Sequence, residues 1–298
     1  MPIFIRQYGV KQPMKKGILL LFVLTPLVAI SQTFYAVRKE RSLILVGGIG
    51  TASYFGDLKD PGDLIDFKPS VSVGLQMYFT PRIAVRSELT YYNIKGNDAS
   101  SSDPSRQRRN LSFTSSNFEL NAVGIVDLFP LGRRFYQRPG VNLYGLAGVG
   151  AMYMNPMAEY NGQKYALQPL QTEGVSYSRF QFIIPYGLGM RFKAGPFFNI
   201  GIESVWRKTF TDYLDDVSTV HPDKSGWTDP IRIALSDRRV EGNPELEPYP
   251  AGARRGDPSN DDGYHLLLLK IEYYLPENFL FKDPYKKLYN IRRKPYHR

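Results

Sequence analysis

The sequence predicts an all-β fold, an eight-stranded antiparallel transmembrane outer-membrane β-barrel with short periplasmic turns and long outer loops. Three observations predict it. Eight segments of about 10–14 residues alternate apolar and polar side chains, the period of a strand with lipid on one face and a lumen on the other. An N-terminal stretch has the form of an export signal. The connections between the segments alternate between short and long.

The export signal comes first. Lys15 and Lys16 precede an apolar run, 18–30, that closes on Ala29, Ile30 and Ser31 before Gln32. A basic start, a short apolar centre and a small-residue cleavage site define a secretory signal. Pro26 interrupts the run, which is too short for a helical span. Met14 is the better start codon, residues 1–31 are the expected signal peptide, and 32–275 and 276–298 are the expected barrel and basic periplasmic tail. The chain has no cysteine, so no disulfide or lipidated cysteine is available. Its net charge is +10, but the signal region and the tail hold most of it and the body is nearly neutral. That distribution argues against a general nucleic-acid surface.

The expected strands are 43–55, 69–79, 83–95, 113–128, 141–154, 179–192, 197–210 and 263–275. The sixth is the clearest. Phe180, Phe182, Ile184, Tyr186, Leu188, Met190 and Phe192 share one face, and Gln181, Ile183, Pro185, Gly187, Gly189 and Arg191 the other. The second and sixth strands are followed by very short turns, and the fourth by a moderate basic one, 129–140. The first, third, fifth and seventh are followed by longer loops, the habit of bacterial outer-membrane barrels. Tyr78, Phe79, Tyr91, Tyr92, Phe192, Phe210, Tyr273 and Tyr274 at strand ends suit aromatic girdles. A soluble lipocalin-like barrel shares the alternation; the girdles and the loop asymmetry favour the membrane form. Gly47, Gly48 and Gly50 lie within the first strand and mark close strand approach rather than a phosphate loop.

The same phase predicts an inward set of four bases, Arg86, Arg191, Arg207 and Lys270, and four acids, Glu88, Glu119, Glu203 and Glu272. Eight strands enclose a space only wide enough for side chains to fill. Balanced charges there should pair and plug the lumen, because an unpaired buried charge is costly.

Catalytic and metal chemistry is thinly represented, and no cofactor is expected. His265 reads as a girdle residue on the lipid phase, and His297 lies in the tail. His221 lies near Asp212, Asp215 and Asp216, an arrangement compatible with an acid–histidine pair, but no serine or second histidine on a rigid strand is placed to serve it. The same three aspartates offer oxygen ligands for calcium without the spacing of a dedicated loop, and the plainer reading is solvated acids at a strand end. The proline-rich 211–262 loop is long enough to be either a partly disordered surface loop or a partner contact or lid. In the tail, Tyr285, Leu288, Tyr289 and Ile291 interleave with Lys286, Lys287, Arg292, Arg293 and Lys294, suited to an acidic protein or anionic headgroups.

Four segments carry a family resemblance. They are Thr51-Ala-Ser-Tyr-Phe-Gly-Asp-Leu58, Arg109-Asn-Leu-Ser-Phe113, Tyr144-Gly-Leu-Ala-Gly-Val-Gly150 and Thr211-Asp-Tyr-Leu-Asp-Asp-Val-Ser-Thr219. In this order and spacing the chain resembles the PorG-like outer-membrane barrels of Bacteroidota, from about residue 43 to 275. The resemblance implies a non-enzymatic component of the type IX protein secretion system, associated with a periplasmic ring of PorK- and PorN-like proteins. The extended last loop and the basic tail depart from that pattern.

The expected function is therefore a barrel held in outer-membrane lipid that anchors or positions the secretion machinery, with no small-molecule substrate. Its expected docking residues are Arg133, Arg134 and Arg138 in the 129–140 turn and Lys286, Lys287, Arg292, Arg293 and Lys294 in the tail. The alternatives are a generic surface barrel for adhesion or envelope integrity acting through its outer loops, then a loop-borne hydrolase using Asp215, Asp216 and His221, and last a channel.

Overall fold

The computed structural model describes residues 41–60 and 68–276. The expected signal peptide and the tail lysines and arginines, Lys286, Lys287, Arg292, Arg293 and Lys294, lie outside them. Eight long strands form the barrel wall: β1 (Leu43–Phe55), β2 (Lys68–Tyr78), β3 (Ile83–Asn97), β4 (Ser112–Asp127), β5 (Val141–Tyr153), β8 (Phe180–Ala194), β9 (Phe198–Thr209) and β10 (Gly263–Tyr274). Each pairs antiparallel with its neighbour, and β10 pairs with β1, so the sheet closes on itself. Closure leaves no unpaired edge in the wall, which a bilayer requires of any β structure.

Burial follows period 2. On β4 the side chains from Ser112 to Asp127 alternate strictly between outward and buried. The outward face carries Val71, Val73, Val85, Leu89, Leu120, Val126, Leu143, Val149, Ile200, Ile202, Leu269 and Ile271, all exposed. An exposed apolar surface on this scale needs lipid against it. On β4 it runs from Phe118 to Leu128. Ten steps of ~3.4 Å at a tilt of ~40° give a band of about 26 Å, the height of an outer-membrane barrel's apolar belt.

Paired rings edge the belt, including Tyr91 with Phe118 and Tyr153 with Phe180 towards the long loops, and Phe198 with Tyr273 towards the short turns. Three expected girdle residues are not there. Tyr78, Tyr92 and Tyr274 point into the barrel and are buried. Consecutive strand residues face opposite ways, so of Tyr91–Tyr92 and Tyr273–Tyr274 only the first member of each can meet lipid.

Between β5 and β8 the chain makes an unexpected hairpin, β6 (Pro156–Tyr160) and β7 (Gln163–Ala166), whose first strand pairs with the outer end of β4. Its turn is Asn161-Gly162, both at positive φ (+50° and +76°). Asn-Gly is the strongest short hairpin signal a sequence offers. Among the described residues four short α-helices lie in the long connections: α1 (Pro104–Arg109), α2 (Leu167–Leu170), α3 (Pro230–Ser236) and α4 (Arg239–Gly242).

Candidate functional site

Inside the barrel, strand phase brings all eight expected lumen side chains inward, each 5% exposed or less. Arg86 donates through Nη1 and Nη2 to the two carboxylate oxygens of Glu203 (2.5 and 2.8 Å), and its Nε lies 3.2 Å from Glu88. Lys270 Nζ donates to Glu88 (2.6 Å) and to Ser72 (2.8 Å). Gly48 makes room for this lysine: a Cβ there would stand 2.4 Å from Ser72 Oγ and 2.8 Å from Lys270 Cδ. Arg207 lies 3.3 Å from Glu119, which also accepts from the Tyr264 hydroxyl. Arg191 bridges Glu272 and Asp127, and the Tyr78 hydroxyl donates to the same aspartate.

These contacts cross the lumen rather than follow the wall, so they fill it. Each charge is both paired and hydrogen-bonded, the condition under which a buried ion pair is tolerated. Asp127, at the last position of β4, belongs to this network too; the strand phase already sends it inward, but the expected inward set omits it.

Apolar clusters close both ends. Towards the long loops, the inward Tyr54, Tyr92, Tyr264, Leu266 and Leu268 pack with Leu214, Val217 and Leu235 of the 211–262 segment. Towards the short turns, Ile44, Val46, Tyr78 and Tyr274 pack with Leu131 from the β4–β5 connection.

The 211–262 segment is folded, and it is stitched to the other long loops by buried polar groups. Arg255, 2% exposed, donates to Glu173 (2.8 Å) in the β7–β8 connection and to the Asp216 carbonyl (2.6 Å). Arg109 clamps Asp98 with two bonds (2.7 and 2.8 Å) and reaches the carbonyls of Asp57 and Arg255. Asp216 accepts from Thr172 and Tyr177, and Tyr54 donates to Asp215 (2.6 Å) and Asp262 (3.1 Å).

Asp215 and Asp216 are thus buried structural acceptors, not solvated acids at a strand end. Burial, foremost, raises both, Asp216 to about 6, and it raises Asp212 to about 7 and Asp262 well above the carboxylate range. Nor do they serve a histidine. His221 is 1% exposed and stacks on Tyr249 at 4.7 Å, and among the described residues neither of its ring nitrogens has a hydrogen-bond partner. Burial, then the nearby Arg255, lowers it to about 4. The acid–histidine pair expected for a hydrolase does not form, and no group of three or more possible ligands among the described residues is arranged to hold a metal.

The end with the short turns carries the expected docking arginines of the β4–β5 connection. Arg133 and Arg134 are exposed there. Arg138 is not: it is 7% exposed and donates to Asn199 Oδ1 and to the carbonyls of Phe135, Gly195, Pro196 and Phe198, with its guanidinium over Tyr274. A guanidinium with its donors spent on the barrel's own end is a structural clamp and offers nothing to a partner. Around this end Arg41, Arg82, Arg133, Arg134 and Lys193 reach the surface, while Asp127 and Glu272, the nearby acids among the described residues, are buried.

On the lipid face, sequence reasoning missed one pair. Ser204 Oγ lies 2.8 Å from His265 Nε2, and the Trp206 ring packs on the imidazole at 4.5 Å. The partners lie on different strands, 61 residues apart, so only the β9–β10 register brings them together.

A family model described as a domain of unknown function (DUF6089) matches residues 19–228. No curated protein matches the sequence. Among solved structures the chain is similar to Ail, the attachment invasion locus protein of Yersinia pestis (14% identity, TM-score 0.38, covering 79% of this chain and 98% of that one). It is also similar to Neisserial surface protein A (8%, 0.40, 78% and 97%) and to the outer membrane protein OprG from Pseudomonas aeruginosa (8%, 0.39, 80% and 99%).

Proposed function

From the premise that the chain belongs to the DUF6089 family, we propose that it is a sealed outer-membrane barrel that anchors a periplasmic protein assembly through its basic short-turn end. One observation carries this reading. Among the described residues, every ionic side chain that reaches the surface at that end is a cation: Arg41, Arg82, Arg133, Arg134 and Lys193. A single-sign rim selects an acidic partner surface and repels a basic one. The tail cations Lys286, Lys287, Arg292, Arg293 and Lys294 extend the same character in sequence. The signal at 1–31 directs export, both chain ends lie in the periplasm, and the long loops face outward.

The resemblance to PorG-like barrels makes ring proteins of the type IX secretion system, PorK- and PorN-like, the candidate partners. The eight paired lumen charges act as a plug, so the barrel conducts no solute, and planar-bilayer recordings are expected to show no channel.

A second reading, a surface barrel for adhesion or envelope integrity, is favoured by the folded 211–262 segment. One experiment separates the two. Affinity capture from detergent-solubilised envelopes would compare the full chain, a chain ending at Pro276, and Arg133→Glu/Arg134→Glu. Loss of a co-purifying periplasmic partner in either variant supports anchoring. Unchanged capture in both, or none with the full chain, overturns it in favour of the outer loops.

A further inference from the structure

Three polar side chains, His265, Ser204 and Thr51, share one patch of the lipid-facing wall, with the buried Ser53 beside them. His265 on β10 lies directly across from Ser53 on β1 and from Trp206 on β9, and Thr51 stands across from Leu267. Ser204, two residues along β9 from Trp206, completes the patch through its hydrogen bond to His265. An ionisable side chain on the lipid face is expensive and marks a functional site by default, with its partner as the first clue to the chemistry. Here the partner is a hydroxyl.

The depth is informative. Two residues past Trp206, at the next outward position, Lys208 pairs with Asp261 at 2.8 Å, both half-exposed. Below, the outward side chains are Ile200, Ile202, Leu267 and Leu269. The Ser204–His265 pair therefore stands where charged headgroups give way to acyl chains. Acyl ester bonds of membrane lipids lie at that level, and water reaches it.

A cleft of about 690 Å³ crosses the outer face of β4, β5, β8 and β9 beside the pair. Gly124, Gly145 and Ala147 form its floor, and Leu188 and Trp206 its walls. Leu188 stands directly opposite Ser204 in the β8–β9 register. Ser204 does not itself line the cleft but borders its β9 edge, so an acyl chain lying there would have one end beside the Ser204 hydroxyl.

We propose that Ser204 and His265 are a nucleophile and base that cleave ester-linked acyl chains from membrane lipid. A hydroxyl within hydrogen-bond distance of an imidazole nitrogen, each on a rigid strand, is the geometry that activates a serine when that nitrogen is unprotonated. Ser204 Oγ attacks the ester carbonyl carbon as its proton passes to His265 Nε2. The carbon–oxygen bond to the lipid breaks, and the lipid's hydroxyl leaves with the proton held by His265. Water then attacks the acyl-serine and gives a proton to His265. The acid departs and Ser204 recovers its hydrogen from the imidazole. Trp206 is a positioning residue that fixes the ring. This activity is independent of docking at the short-turn end.

The test uses the full chain in vesicles of phosphatidylethanolamine and phosphatidylglycerol, with and without added lipopolysaccharide. Its readouts are free fatty acid release and labelling by a fluorophosphonate. The expected result is labelling at Ser204, abolished in Ser204→Ala and His265→Gln, with fatty acid release falling at least about 100-fold in both. Release from the phospholipid vesicles identifies a glycerolipid substrate, and release only with lipopolysaccharide identifies an acylated saccharide. Both side chains point out of the barrel and take no part in the lumen network, so heat-modifiable gel migration of the variants should match the native chain. Native protein that is labelled no more than Ser204→Ala overturns the proposal, as does equal release from correctly migrating variants.

Discussion

Replacing Glu203 by alanine removes the acceptor on which Arg86, Tyr144 and Lys270 converge, at 2.5, 2.6 and 3.8 Å. Two buried cations are then left facing Glu88 alone. Removing one partner of a buried pair costs ~3–5 kcal/mol, because the other charge remains desolvated. The Tyr144 hydroxyl loses its acceptor as well, and rearrangement around Glu88 recovers part of the loss, so about 4 kcal/mol is expected overall. With a urea slope of ~2 kcal/mol per molar, the unfolding midpoint should fall by about 2 M. The assay is urea titration in lipid vesicles, read by tryptophan fluorescence and by the folded and unfolded bands on a gel. A companion variant isolates the electrostatics. Arg86→Met/Glu203→Met removes a cation and an anion together and leaves Lys270 paired with Glu88, so it should be more stable than Glu203→Ala. A midpoint change below about 0.5 M for Glu203→Ala, or a double variant no better than the single one, would refute the pairing account.

Three further outcomes are expected. Arg138→Ala should lower stability by about 2–4 kcal/mol in the same titration, since four carbonyls and Asn199 lose their donor, whereas Arg133→Ala should leave it unchanged. Gly162→Ala should cost about 1 kcal/mol locally, because alanine resists the positive φ of the Asn161-Gly162 turn; limited proteolysis should cut the β6–β7 hairpin faster while the barrel's midpoint holds. The folded loops should open with rising pH: Asp212, Asp215, Asp216 and Asp262 all hold protons more tightly when folded, so their contribution is complete below the ordinary aspartate range and is lost as pH rises towards 6 and 7. His221 acts oppositely, its contribution being lost as pH falls from about 6.5 towards 4; Glu173 and Asp237, held below the ordinary carboxylate range, keep theirs above that range, so across this window His221 stands against four. Protease protection of the 211–262 segment should therefore fall between pH 4 and 7, and Asp212→Asn/Asp216→Asn should flatten the slope.

The barrel wall was legible because period 2 is a local signal: once Phe118 and Leu120 face lipid, Glu119 must face inward. Arg86, Glu88 and Lys270 followed from the same logic. What failed had a different physical origin. The girdle assignment of Tyr92 and Tyr274 pooled neighbours that a strand must send opposite ways. Arg138 looked like surface because its turn is polar, yet its carbonyl partners come from the β8–β9 turn, about 60 residues away. Burial of Asp215 and Asp216 has no local signature, since it depends on Thr172, Tyr177 and Arg255 arriving from other loops. The Asn161-Gly162 hairpin was readable and was passed over inside a connection taken as loop. Ser204 and His265 were each visible as lipid-phase residues, but only the register of two strands makes them a pair.

The lumen contacts also impose an order on how the protein can be made. Glu88 on β3 and Arg191 on β8 find Lys270 and Glu272 on β10, the last strand of the barrel and among the last described residues. A sheet that has assembled only through β9 holds Arg86 between Glu88 and Glu203, one negative charge in excess, and cannot neutralise it from within. Insertion of the final strand brings Lys270 to that site, supplies its missing counter-ion and seals the β1 seam in one event. A chain shortened before residue 263 should stall as an open, charged intermediate and be degraded. The barrel thereby carries its own completeness check, written in the position of Lys270 on its last strand.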